Sequence, residues 1–293
     1  MDTAGRVRAA ILWPAFVNLK TLEILGGKGL GGYDNSTCRF LAGHCPPTVT
    51  CLEISQSDLP LWATHRLLEQ LPLLESLFLE GPDDAGRLYQ VSPQPSLHLP
   101  RLRTLYLSGS FRDTSIFTML RKASPSLRDL EVDWTAIEAL DPAHLASIPR
   151  LTIWTTVHST HHDGHPNFSP ARLFEYLMPV LDACTSLETF EIVNLFPRNL
   201  EHHEGLEKLE AHRVLHHLPN SLEVLSLVSV DLTSSYLLDF LSSRAISLCT
   251  LQLTPPVVTQ TRTHDSETRI RIEEFCEKRD IELTWVEECA ADA

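Results

Sequence analysis

One short apolar pattern recurs along nearly the whole chain and constrains its fold more than any other feature. The pattern is apolar-x-x-apolar-x-apolar, and all of its apolar positions are filled in each of eight copies. The copies are LKTLEI at 19, VTCLEI at 49, LESLFL at 74, LRTLYL at 102, LRDLEV at 127, LETFEI at 187, LEVLSL at 222 and LCTLQL at 248. Short alternating segments of this kind predict β-strands with one buried face. Because the copies are alike, we expect one structural unit repeated along the chain.

A ninth, degenerate copy lies in the segment IPRLTIWTT, residues 148–156. Two registers are open for its buried positions: Ile148, Leu151 and Ile153, or Leu151, Trp154 and Thr156. With this copy counted from Leu151, successive copies start 24 to 36 residues apart. That distance leaves room for a helix after each strand, as parallel strands require.

Helix signals occupy the segments between the strands. Asp141-Pro142 and Ser169-Pro170 each place an N-cap residue before a proline at the first helical position, and they are expected to open the helices PAHLASI and PARLFEYLMPVLDAC. Apolar residues at three- and four-residue spacing predict further helices in LWATHRLLEQL, TSIFTMLRKA, GLEKLEAHRVLHHL and SSYLLDFLSS. The segments SETRIRIEEFCEKRD and IELTW predict a terminal helix and strand. The expected fold class is α/β, with a parallel sheet on the concave side of a solenoid and helices on its convex side.

The repeats resemble those of leucine-rich-repeat proteins of the strand-helix type, similar to ribonuclease-inhibitor-like folds. The resemblance covers about residues 15–287. It implies a horseshoe formed by a single domain over residues 1–293, with repeats at about 15–260 and a C-terminal cap at about 265–287. The family's usual Asn or Cys after the strand is replaced here by Gly27, Ser57, Pro82, Ser110, Thr135, Leu195, Val230 and Pro256.

The repeat lengths and two sequence segments point to a more specific resemblance. The irregular repeat lengths, the segment LPRLRTLYL at Leu99 to Leu107 and the closing FCEKRDIELTW resemble the repeat regions of fungal F-box proteins. In that family an N-terminal helical module docks a cullin-type ubiquitin ligase, and the repeats select the substrate. The repeats here begin within the first twenty residues, so we expect the chain to lack that module. The implied function is substrate recognition for such a ligase; the alternative is a stand-alone scaffold or inhibitor with no ubiquitin-related role.

Charge and cysteine content limit the partners and the compartment. The chain has 24 Lys and Arg against 38 Asp and Glu, a formal net charge of -14. Such a surface repels nucleic acid and anionic membranes, so we expect neither as a partner. The seven cysteines are scattered without a Cys-x-x-Cys pair, which is typical of reduced thiols in a cytoplasmic or nuclear protein. The sequence says nothing about the oligomeric state.

A glycine-rich stretch imitates a dinucleotide-binding motif. Gly27, Gly29 and Gly32 have the Gly-x-Gly-x-x-Gly spacing, and the carboxylate of Glu53 follows at a suitable distance. A dinucleotide fold buries its first strand on both faces, whereas LKTLEI alternates and exposes Glu23. We therefore interpret the stretch as a loop between repeats and expect no cofactor.

Histidines are concentrated between residues 158 and 217. His212 and His216 have the i, i+4 spacing that can chelate a transition metal if their segment is helical. The segment HSTHHDGHP, which supplies His158, His161, His162 and His165, is expected to be a long loop. No His-Glu-x-x-His motif, nucleophile elbow or paired acid-base carboxylates occur in the sequence. We therefore expect no metal site and no enzymatic activity.

The outward positions of the predicted strands carry the best candidate site. Their residues include acidic side chains and two aromatic ones, Phe78 and Tyr106, on neighbouring strands. Exposed aromatic residues within a charged rim are typical anchors of protein interfaces. We expect a protein partner with a basic segment to bind Glu53, Phe78, Tyr106, Asp129, Glu131, Asp133 and Glu191. The alternative is that the glutamates only keep a solvated sheet surface soluble.

Overall fold

The computed structural model describes residues 18–25, 40, 43–55, 61–80, 97–109, 115–154, 170–193, 211–228, 234–243, 247–253 and 263–286. The chain divides into two compact units, Met1–Asp141 and Pro142–Ala293, called unit 1 and unit 2. The single domain over residues 1–293 stays a prediction.

Unit 1 contains a parallel sheet whose strands follow one another in chain order. Its strands are β1 (Thr21–Leu25), β2 (Cys51–Ser55), β3 (Ser76–Glu80), β4 (Thr104–Ser108) and β5 (Asp129–Asp133). Each strand coincides with one copy of the apolar pattern. The register aligns equivalent leucines, because Leu52 faces Leu77, Leu77 faces Leu105 and Leu105 faces Leu130.

In the described part of unit 1, two α-helices lie in crossovers between successive parallel strands. Helix α1 (Leu61–Leu68) lies between β2 and β3, and helix α2 (Ser115–Ala123) lies between β4 and β5. Leu67 of α1 and Phe117 of α2 are fully buried, as are the strand leucines Leu77 and Leu105. Full burial of each such side chain contributes about 1.5–3 kcal/mol. The apolar sides of the strands and helices therefore form the core of unit 1.

A short 3-10 helix, η1 (Trp134–Ala139), follows β5 directly. The sequence patterns do not predict it. Gly109, at the end of β4, has a φ of 88°, a conformation that only glycine adopts without strain. Its backbone N–H donates to Oγ1 of Thr135 in η1 at 3.0 Å. The hydroxyl of Thr135 thus connects the ends of two neighbouring strands.

Unit 2 contains a second run of parallel strands, again paired in chain order. They are β6 (Arg150–Trp154), β7 (Thr189–Val193), β8 (Val224–Val228), β9 (Thr250–Leu253) and β10 (Glu282–Trp285). The helical segments of unit 2 are η2 (Pro142–His144), α3 (Pro170–Ala183), α4 (Ala211–His217), α5 (Ser234–Ser243) and α6 (Thr263–Arg279). In the described part of unit 2, one α-helix lies between each pair of successive strands, as the spacing of the copies predicts.

The structure decides the register of the degenerate ninth copy. Ile148, Leu151 and Ile153 are each fully buried, whereas Trp154 is partly exposed. The first of the two open alternatives is therefore correct.

The helix expected in PAHLASI is not present. The chain forms only the three-residue 3-10 turn η2 there, although it begins at Pro142 as predicted. Strand β6 already starts at Arg150, so the short connection leaves room for a single turn before the chain must extend.

Both units have the α/β repeat architecture that the pattern predicts, with parallel strands joined through helices. The horseshoe shape remains a prediction. Among the described helices, none combines the length and the apolar composition needed to cross a membrane.

Candidate functional site

The side chains of unit 1 that point away from the core form the open face of its sheet. Strands β2 and β3 alternate between partly exposed and buried residues along their whole length, because successive strand residues point to opposite sides. The register places the middle outward residue of each strand beside the next one. We call this line the central row; it consists of Glu23, Glu53, Phe78, Tyr106 and Glu131.

Two stacked aromatic rings occupy the middle of the central row. The ring centroids of Phe78 and Tyr106 are 4.3 Å apart and their planes differ by 24°. Both side chains are partly exposed. Stacked pairs on neighbouring strands stabilise a sheet and keep each other's rotamers defined. The pair therefore presents a preorganised apolar surface.

The environment of Tyr106 is acidic. Burial, above all, and the charges of Asp133, Glu131 and Glu80 together raise the pKa of its phenol to about 12, while a hydrogen bond with Ser108 opposes them. Each of these carboxylates disfavours a second negative charge on the phenolate. The same arrangement favours a positive charge brought to the ring from outside.

Glutamates stand on both sides of the aromatic pair. Glu53 precedes Phe78 in the row and accepts a hydrogen bond from the hydroxyl of Ser55 at 3.0 Å. Burial raises the pKa of the neighbouring Cys51 thiol, and the negative charge of Glu53 raises it further. Glu131 follows Tyr106 in the row and is partly exposed. Of the predicted site residues, the structure thus brings Glu53, Phe78, Tyr106 and Glu131 into one line.

Asp129 lies on the same face as Glu131 but at the start of β5. It is partly exposed and pairs in register with Thr104. It therefore belongs to the row beside the central one and adds negative charge at that side.

Asp133 is buried, with only 2% of its surface exposed. Its contact with a partner stays a prediction. Its Oδ1 accepts hydrogen bonds from the backbone N–H of Thr135 at 2.9 Å and from the hydroxyl of Thr135 at 2.7 Å. The carboxylate thus caps η1. The chain turns into η1 directly after the strand, which buries a residue that strand alternation alone would leave outside.

Glu191 belongs to unit 2 and so lies outside the central row. Its carboxylate accepts hydrogen bonds from Ser226 at 3.2 Å and, at the longer distance of 3.5 Å, from Thr152. These hydroxyls belong to the two adjacent strands and stabilise the charge of the Glu191 carboxylate. The residues paired in register with Glu191 are Thr152 and Ser226, and neither is aromatic. Glu191 therefore takes part in the internal hydrogen bonding of unit 2, and its contact with a partner stays a prediction.

One member of the central row was not among the predicted site residues. Glu23 is exposed and faces Glu53, so it extends the acidic side of the row by one strand. Glu23 occupies the same position of the apolar pattern as Glu53 and Glu131. This equivalent position in the repeat is the sequence signal that could have identified Glu23 as a site residue.

Several sequence predictions fall partly or wholly outside the described residues. Gly27, Gly29 and Gly32 lie there, as does the histidine-rich segment at 158–165. Helix α4 contains His212 and His216, as the predicted spacing requires, but the side chain of His212 is outside the described part. In the described part of the chain no three His, Cys, Asp or Glu residues are grouped in a way that could hold a metal ion.

His217 in α4 makes a contact that the sequence does not reveal. Its Nδ1 lies 2.7 Å from Oδ1 of Asp182 in α3. This hydrogen bond connects successive helices of unit 2 and gives His217 a structural role.

Comparison of the chain with models of known protein families and with curated proteins finds no match in either.

Proposed function

We propose that the chain is a leucine-rich-repeat protein that recognises another protein, and that the open face of unit 1 binds a basic segment of that partner. The observation that carries the proposal is the stacked pair Phe78 and Tyr106 placed between Glu53 and Glu131 in one row. An aromatic surface with carboxylates on both sides suits a segment that contains both apolar and cationic residues.

The two kinds of residue contribute differently. Partly buried aromatic anchors supply most of the affinity of an interface. Exposed carboxylates contribute about 0.2–1 kcal/mol per ion pair, but they speed association and select against acidic partners. A formal net charge of -14 on the whole chain adds long-range attraction for the same partner.

Selection from an unbiased peptide library tests this function. The full chain should enrich peptides rich in Lys and Arg that also carry an apolar residue. The double substitution Phe78→Ala and Tyr106→Ala should weaken the selected peptides at least about tenfold, as loss of interface anchors does. The double substitution Glu274→Gln and Glu277→Gln, on the exposed surface of α6, is a control of equal charge change for the double variant of the glutamates in the row.

The alternative, a merely solvated sheet surface, makes a different prediction. In that case the library would show no basic enrichment, or the enriched peptides would bind the double variant as well as the unchanged chain.

In the cell, we propose that such binding selects substrates for a cullin-type ubiquitin ligase in the cytoplasm or nucleus. The support is the resemblance of the repeats to those of fungal F-box proteins. Affinity purification from the native cell should recover adaptor and cullin subunits together with the chain. A stand-alone scaffold or inhibitor would instead co-purify with its target and without those subunits.

A further inference from the structure

We infer that the central row recognises an extended segment of the form basic-x-apolar-x-basic, laid across the strands of unit 1. The inference rests on the proposed function and specifies the partner's local sequence. It follows from the order glutamate, aromatic, aromatic, glutamate on four successive strands.

The spacing of the row sets the spacing of the ligand. Neighbouring strands lie about 4.8 Å apart, so Glu53 on β2 and Glu131 on β5 are separated by about 14 Å across three strand intervals. The aromatic pair lies midway between them. A ligand that uses all three features needs two cations about 14 Å apart, with an apolar group halfway between.

An extended peptide satisfies this requirement. Residues i, i+2 and i+4 of an extended chain point to the same side, and i and i+4 are separated by about 13–14 Å. Residue i+2 then lies over Phe78 and Tyr106, while i and i+4 reach Glu53 and Glu131. Long Lys and Arg side chains accommodate the remaining difference of about 1 Å.

A helical ligand fits the row less well. A helix rises about 1.5 Å per residue, so a separation of 14 Å corresponds to about nine residues, which places the two cations on opposite sides of the helix. The pair i and i+7 shares one side but spans only about 10.5 Å. The row therefore favours an extended partner over a helical one.

Charge determines which extended segments fit. The carboxylates of Glu53 and Glu131 at the two ends attract Lys or Arg, and Glu80 adds a further negative charge near Tyr106. An acidic residue at i or i+4 would be repelled at both ends of the row. The aromatic middle position takes a large apolar side chain, because stacked rings expose apolar edges.

Two peptides of identical composition test the inference. One carries Arg-Thr-Trp-Thr-Arg, in which the β-branched threonines favour the extended state, and the other carries the permuted Thr-Arg-Trp-Arg-Thr, in which both arginines point away from the side of the tryptophan. Fluorescence anisotropy with the full chain should give a Kd about tenfold lower for the first peptide, since two correctly placed ion pairs contribute a few-fold each. This preference should disappear in the double variant Glu53→Gln and Glu131→Gln and persist in the double variant Glu274→Gln and Glu277→Gln, which removes the same charge.

Three results would overturn the inference. They are equal affinity for the two peptides, a preference that survives the double substitution, and absence of binding by both peptides. None of them decides the proposed function, which is judged by the unbiased selection: enrichment of basic apolar peptides without the i, i+2, i+4 pattern would leave that function standing and refute only the spacing.

Discussion

Two acidic residues of β5, separated by one position, have different surroundings. Glu131 is partly exposed on the open face, whereas Asp133 is 2% exposed and caps η1. Strand alternation assigns both side chains to the same side of the sheet. The difference arises because the polypeptide after Asp133 turns over it, and its carboxylate then satisfies the backbone N–H of Thr135. The burial and the hydrogen bonding of Asp133 are therefore decided by the segment that follows it in the chain.

The cap is tested by Asp133→Ala. The substitution leaves the N–H and the hydroxyl of Thr135 without their acceptor, so the free energy of unfolding should fall by about 1–2 kcal/mol. Chemical denaturation measures it, and Asp133→Asn, which keeps one acceptor oxygen, should lose less. A stability equal to that of the unchanged chain would show that the cap contributes nothing.

The acidic environment of Tyr106 predicts a pH dependence. Its pKa of about 12 exceeds the ordinary value of 10, so the folded protein holds the phenolic proton more tightly than the unfolded chain does. The resulting stability is fully present below pH 10 and is lost as the pH rises to about 12. Tyrosine ionisation is followed by ultraviolet absorbance during a pH titration of the unchanged chain and of Tyr106→Phe. The difference between the two curves should show one tyrosine that ionises at about pH 12. Glu131→Gln should move this ionisation to lower pH, and an ordinary midpoint near 10 in the unchanged chain would contradict the assigned environment.

The strands and helices are the elements that local sequence predicts best. In a strand the period of two separates core from surface residues, and every copy of the apolar pattern became a strand for that reason. Helix α5 spans Ser234–Ser243, the segment SSYLLDFLSS that apolar spacing predicted. The 3-10 segments were missed or mistaken for helices. Their short hydrogen-bonded turns have no apolar period long enough to recognise.

Helix α6 offers a matched pair of substitutions. Ile272 is 4% exposed and Ile270 is 51% exposed, although both lie in the same helix two residues apart. Ile272→Ala should lower the free energy of unfolding by about 2–4 kcal/mol, because it leaves a cavity. Ile270→Ala should change it by less than about 0.5 kcal/mol. Thermal and denaturant unfolding of the two variants measure the difference; equal effects would mean that α6 does not pack through Ile272.

For the whole molecule the dominant property is its charge. A formal net charge of -14 attracts a basic partner before contact is made, and this attraction is screened by salt. We expect the association rate constant of a basic peptide to fall several-fold between about 50 and 300 mM salt, with little change in dissociation. Stopped-flow mixing measures both rates. Glu131→Lys should slow association and weaken its salt dependence; insensitivity both to salt and to this substitution would refute the electrostatic part of the proposal.

The sequence by itself determined where the strands lie, which side of each strand is buried and that a helix joins most successive strands. These properties depend on periods of two and of three to four residues, which are local. It also placed Phe78 and Tyr106 on neighbouring strands, since equivalent slots of a repeat align in register.

Only the tertiary structure decided the stacking of those rings, the register of β6 and the burial of Asp133. Each depends on contacts between residues that are distant in the sequence or on a turn without a recognisable pattern. The core face of a strand follows from its own residues, but the surroundings of its ends are formed by other segments of the chain.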